Sequence, residues 1–250
     1  MKPILLTNGD SWTQGDSPAQ NINWNALKSL DWYNLIPSFG NTYKEVPRKL
    51  LYKFYDSPVW PKILGENLKL ETWNAGRLGS DNYGILYRTI NSIEWLEKRN
   101  KNNIFVIIGW TSYLRLPVFV RKDKVLDLDQ LRPDPTNLKL FYQDNLVNQD
   151  MTVLIIYALQ NYLKDKNIKF LFFNAFSELE DSSFMHLLDK NYWLNRDIKS
   201  AHFLEYILDK NKIKDWSDSN YFNCYHPKDN SHIQWGTFLT EYIKTNYEFN

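Results

Sequence analysis

Four short apolar runs recur along the chain: residues 4–7, 68–73, 104–109 and 168–174. Runs of this length read as short strands of a sheet. Between and after them the apolar positions take helical spacing. Leu86, Ile90, Ile93 and Leu96 form one stripe. Met151, Leu154, Ile155, Ala158, Leu159, Tyr162 and Leu163 form a cleaner one, with Asp150 as its expected N-cap. Trp235, Phe238, Leu239, Tyr242 and Ile243 form a third near the end. Strands alternating with amphipathic helices predict an α/β protein with a central, mostly parallel sheet covered on both faces. The chain has no internal repeat, low-complexity tract or linker, so residues 1–250 are expected to form one domain. Two stretches break the rhythm, residues 17–65 and residues 112–148 with Pro117, Pro133 and Pro135. They are expected to be elaborated loops, either walling a pocket at the sheet's C-terminal edge or decorating the surface.

Three of the runs end in small polar residues. The first leaves through Asn8-Gly9-Asp10, which is turn chemistry, onto Ser11. A hydroxyl between a strand end and a helix start suits a nucleophile, because free N–H groups there favour developing negative charge. An ordinary N-cap serine fits the same place. The second run leads into Gly76, Gly79, Ser80 and Asn82, and the third into Gly109, Thr111, Ser112 and Arg115. In a parallel sheet these ends share one edge and converge. Four histidines are available as a base. His226 and His232 fall just before the last helix, His186 in a polar connection and His202 at a helix start. No cysteine or carboxylate cluster at ligand spacing accompanies them, so neither a metal nor a cofactor is expected.

Composition narrows the class. With 43% hydrophobic and 24% charged residues the chain is globular, and no stretch approaches the ~20 apolar residues of a membrane span. The first residues turn polar too early for an export signal, which points to the cytoplasm. The single cysteine, Cys224, forms no internal disulfide and fits a reducing compartment. A net charge of +1 offers no footprint for nucleic acid. Ten Trp, 16 Tyr and 14 Phe exceed the needs of a core. Trp24, Trp73, Trp110 and Trp216 lie among polar residues, as packing residues or as the wall of a groove for sugars or acyl chains.

Gly9-Asp10-Ser11, Asn74-x-Gly76-x-x-Gly79, the Gly109 block and His226-Pro227 resemble the ordered blocks of the SGNH/GDSL hydrolase superfamily, spread over nearly the whole chain. The wording around Gly79-Ser80-Asp81-Asn82 and Gly109–Ser112 further resembles small SGNH-like proteins of bacteria and phages. The resemblance implies a single SGNH-hydrolase-like domain, a three-layer α/β/α sandwich around a central, mostly parallel, flavodoxin-like sheet. Within it Ser11 is nucleophile and first oxyanion donor, Gly79 the second donor, and His226 the general base. Two departures stand out. The third block lacks the Asn that serves as a further oxyanion donor, leaving Asn82 or the Thr111 hydroxyl as substitutes. The position of the acid, three before the histidine, holds Asn223, which can orient an imidazole but not offset its charge. A second register, Asp229 with His232, restores a carboxylate but loses the His-Pro pair. The implied activity is hydrolysis of an O-acyl ester, as in an esterase or carbohydrate O-deacetylase, on a small ester or acylated glycan. The two departures leave open a non-catalytic glycan-binding module, and the resemblance to small phage proteins leaves open a structural component of a phage particle, virion-associated in that case.

Overall fold

The computed structural model describes residues 3–14, 58–77, 80–115, 145–179, 181–223 and 226–248. Numbered over these residues, the elements are β1 (Ile4–Asn8), α1 (Ser11–Gln14), α2 (Trp60–Leu68), β2 (Glu71–Asn74), α3 (Asn82–Glu97), β3 (Ile104–Trp110), α4 (Asn145–Asp165), β4 (Lys169–Asn174), α5 (His202–Asn211), β5 (Phe222–Asn223), β6 (His226–Pro227) and α6 (Asp229–Asn246). β1 to β4 form one parallel sheet in the order β2-β1-β3-β4. The chain passes from β1 outward to β2 and then crosses to β3. The C-terminal ends of β1 and β3 therefore flank the point where the winding reverses, the place at which open α/β sheets form a crevice.

Alternation along the strands divides the core in two. Ile4, Leu6, Val106, Ile108, Phe170 and Phe172 face α3 and α4 through Ile85, Ile93, Val153, Ile156 and Leu159. Leu5, Phe105, Ile107, Leu171 and Phe173 face α2, α5 and α6 through Trp60, Leu64, Phe203, Trp235 and Leu239. A strand with both faces covered has no polar position to spare, which is why these runs read as continuously apolar. On α6, Trp235, Leu239 and Ile243 recur every fourth residue and are fully buried. Trp235 stacks on Phe203 with centroids 4.9 Å apart and meets Phe173 edge-on at 5.1 Å. Burial of each such side chain contributes about 1.5–3 kcal/mol, enough to clamp α6, and the β6 residues just before it, against the sheet.

Three boundaries differ from the sequence expectation. Residues 68–70 are not strand: Leu68 ends α2, continuing the stripe of Trp60 and Leu64, and Lys69 closes the helix in the left-handed conformation (φ 55°). That helix also occupies the end of the stretch expected as loop at 17–65. The other end of the loop expectation shifts as well, since α4 starts at Asn145 rather than after Asp150. Asp150 lies inside α4, and its carboxylate accepts from the Ser182 hydroxyl (2.7 Å) and the Ser183 N–H (2.9 Å). It caps the chain beyond β4 instead of its own helix, a contact between segments that local spacing does not carry. Residues 17–57 and 116–144 of the two loop stretches, with Pro117, Pro133 and Pro135, lie outside the described residues.

Candidate active site

β1 ends in a turn built for close approach. An added Cβ on Gly9 would stand 2.1 Å from Thr13 Oγ1 and 2.8 Å from the Gly109 carbonyl oxygen, so only glycine lets β1 turn this tightly beside β3. Asp10 then starts α1: its carbonyl accepts from the N–H groups of Thr13 and Gln14, and its Oδ1 from the Trp12 N–H at 2.9 Å. It is Asp10, not Ser11, that caps this helix. Ser11 is its first residue, 1% exposed, and its backbone N–H has no acceptor among the described residues. Ser11 Oγ lies 2.9 Å from His226 Nε2. These two atoms come from positions 215 residues apart, one after β1 and the other on β6.

The second block braces this turn from below. Asn74, the last residue of β2, donates to the Thr13 carbonyl (2.9 Å) and accepts from the Gly76 N–H (2.8 Å). Arg88 on α3 reaches the Ala75 and Gly9 carbonyls and the Ser80 hydroxyl. Gly79, the expected second oxyanion donor, lies outside the described residues.

The third block contributes in a way its residue types did not announce. Asn82 and Thr111 hold each other: the Thr111 N–H donates to Asn82 Oδ1 (3.0 Å) and Asn82 Nδ2 donates to the Thr111 carbonyl (3.1 Å). The Thr111 hydroxyl donates to Asp10 Oδ2 at 2.8 Å, where Arg115 Nη1 also binds at 3.1 Å. The hydroxyl hydrogen is thus committed to Asp10, and Asn82 is turned onto the backbone of Thr111. Asp10 is completely buried. Burial raises its carboxyl above the usual range, while Arg115, Thr111, the Trp12 N–H and the charge of His226 pull it down. The carboxylate at the core of this edge is therefore the middle residue of Gly9-Asp10-Ser11, which the sequence reading passed over. Its signal was in plain view, an acid between a tight-turn glycine and the candidate nucleophile.

Asn223 sits on β5 directly opposite His226 in a two-residue antiparallel ladder. His232 is placed elsewhere. It is 1% exposed on α6, where its Nδ1 accepts from the Trp60 N–H (3.4 Å), one of the donors that the start of α2 leaves unpaired. Burial, and secondarily the charge of His226, push it down to about 3. It is a neutral interior histidine near the start of α6, and Asp229 is exposed in the first turn of the same helix. His202 is likewise buried at the start of α5 and pushed down to about 4 by burial.

The tryptophans sort themselves by position. Trp110 is core, fully buried against Phe172, and Trp73 packs on Trp95 at 4.6 Å. Trp216 instead joins the half-buried Phe176 around Trp12, the residue after Ser11, with centroid distances of 6.3 Å (Trp12–Trp216) and 5.0 Å (Trp12–Phe176). Trp24 lies outside the described residues. Among the described residues no helix is long and apolar enough to cross a membrane.

No protein-family model matches the chain, and no curated protein matches it. Among solved structures, a GDSL-like lipase from Bacteroides thetaiotaomicron is similar at 12% identity, over 98% of this chain and 89% of that one, with a TM-score of 0.43. An acetyl xylan esterase is similar at 15% identity, over 96% and 99% of the two chains, with a TM-score of 0.44.

Proposed function

We propose that the chain is a serine hydrolase of the SGNH/GDSL type that cleaves an O-acyl ester. The observation that carries this reading is the 2.9 Å approach of Ser11 Oγ to His226 Nε2 at the C-terminal edge of a parallel sheet. That spacing suits proton transfer from the hydroxyl to the imidazole as Oγ attacks the acyl carbon. The tetrahedral oxyanion is met by the Ser11 N–H, which has no acceptor among the described residues, with the Gly79 N–H as second donor. Collapse of the intermediate breaks the ester bond, and the imidazolium returns its proton to the departing alkoxide. Water then enters by the same path; His226 takes its proton and returns it to Ser11 Oγ as the bond to the acyl carbon breaks and the acid leaves. Asn223, opposite His226 on the β5–β6 ladder, takes the place of the acid, but among the described residues its side chain makes no hydrogen bond to the ring. Phe176 and Trp216 beside Trp12 suit the apolar face of an acyl chain or a sugar.

A second reading has one observation in its favour. Asn82 and the Thr111 hydroxyl, the two substitutes for the missing oxyanion donor, are hydrogen-bonded within the protein. Losing such a donor costs about 2.7–4 kcal/mol of barrier, which would suit a module that binds an acylated glycan without turning it over. A fluorophosphonate probe separates the two. The hydrolase reading expects a covalent adduct at Ser11, absent in Ser11→Ala and slowed at least about a thousandfold in His226→Ala. An intact protein that does not react is the binding module.

A further inference from the structure

Arg115, at the end of the third block, is held on three sides. Its Nη1 donates to Asp10 Oδ2 at 3.1 Å and to the Ser80 carbonyl at 3.3 Å, tying the nucleophile turn to the second block. Its guanidinium carbon lies 5.3 Å from the centroid of the Phe176 ring, itself packed on Trp12. Both hydrogen bonds load the same nitrogen. The Nε–Nη2 edge makes none among the described residues, and 33% of the side chain is exposed. That edge carries two parallel N–H bonds, the spacing that matches the two oxygens of a carboxylate.

A residue needed only to neutralise Asp10 has no use for this edge. Asp10 is wholly buried and engages Nη1, so it does not compete for a ligand at the Nε–Nη2 edge. The rigid seat also removes most of the side-chain ordering cost of binding. Because the pair is close to neutral at a distance, attraction is short-ranged and depends on paired hydrogen bonds more than on long-range steering.

We propose that Arg115 is a specificity-determining residue whose free edge receives a carboxylate of the substrate, so that the site prefers acyl esters bearing an acid group to neutral ones. The proposal rests on the reading of Ser11 and His226 as an ester-cleaving pair, and the acid can belong to the acyl or to the alcohol portion. Uncleavable anilides test it by titration calorimetry on the intact chain. N-phenylsuccinamic acid against N-phenylbutanamide places the acid on the acyl side. 4-Acetamidobenzoate against its methyl ester places it on the other side.

In one of the two pairs the acid should bind about tenfold tighter than its neutral partner, the effect of a charge-assisted contact at a partly exposed site. Arg115→Gln should bring that ratio close to one, and Arg115→Lys should restore only part of it, since an ammonium lacks the paired edge. Where Arg115→Gln fails to fold because Asp10 is left uncompensated, Asp10→Asn combined with Arg115→Gln replaces it. A ratio near one in both pairs, or a ratio that survives the loss of Arg115, overturns the proposal. Fluorophosphonate labelling is run in parallel. Labelling of Ser11 without acid preference refutes the role of Arg115 alone, while acid preference without labelling refutes the hydrolase alone.

Discussion

Replacing His232 by asparagine should flatten the loss of stability in mild acid without touching the Ser11–His226 pair. His232 and His202 are both interior histidines, pushed by burial from the ordinary 6.5 to about 3 and about 4. A folded-state value below the unfolded one means the unfolded chain takes up the proton first. Each histidine's contribution is therefore fully present above about pH 6.5 and is lost as pH falls toward its folded value. At pH 5 the unfolded chain has gained about 2 kcal/mol of relative stability from each of them. The two together remove about 4 kcal/mol, a large part of the 5–15 kcal/mol by which domains are stable. The asparagine side-chain oxygen would stand near the position of Nδ1, keeping an acceptor for the Trp60 N–H while removing the titration. Urea unfolding from pH 7.5 to pH 4.5 measures the effect. The wild type should lose stability with a limiting slope of about 2.7 kcal/mol per pH unit, two protons, and His232→Asn with about half of that. The comparison is between slopes, so a constant cost of the smaller side chain cancels. Equal slopes would refute the reasoning.

Two further perturbations address the site. Asn223→Asp puts a carboxylate opposite His226 and should raise kcat on 4-nitrophenyl acetate while moving the acid limb of the pH–rate profile upward, since a nearby negative charge favours imidazolium. An unchanged profile would mean that another group holds the ring. Gly9→Ala forces its Cβ against Thr13 and against the immobile Gly109 carbonyl, so it should cost about 1–3 kcal/mol in urea unfolding. Because Asp10 and Ser11 follow directly, labelling of Ser11 should slow as well; a Gly9→Ala protein that labels at the wild-type rate would show the turn to be slack.

What the amino-acid sequence by itself determined follows from patterns that neighbours along the chain can carry. Parallel strands covered on both faces must be apolar at every position, so β1, β3 and β4 announced themselves, and the stripes of α3 and α6 did the same at helical spacing. A tight glycine turn after β1 was legible in Asn8-Gly9-Asp10 for the same local reason. Only the tertiary structure decided matters settled between distant segments. Both His226 and His232 have a carboxylate or amide three residues before them, and nothing in that spacing says which faces Ser11. The packing of α6 on α2 decides it, because residue 232 falls on the buried side of the helix beneath Trp60 while residue 226 lies on the ladder ahead of it. Asp10 looks like an ordinary turn residue until Thr111 and Arg115, a hundred positions away, close over it. Thr111 looks like a spare hydroxyl until its one hydrogen is found on that carboxylate. Hydrogen-bond partners across a sheet edge depend on where strands end in space, and a single chain does not record that distance.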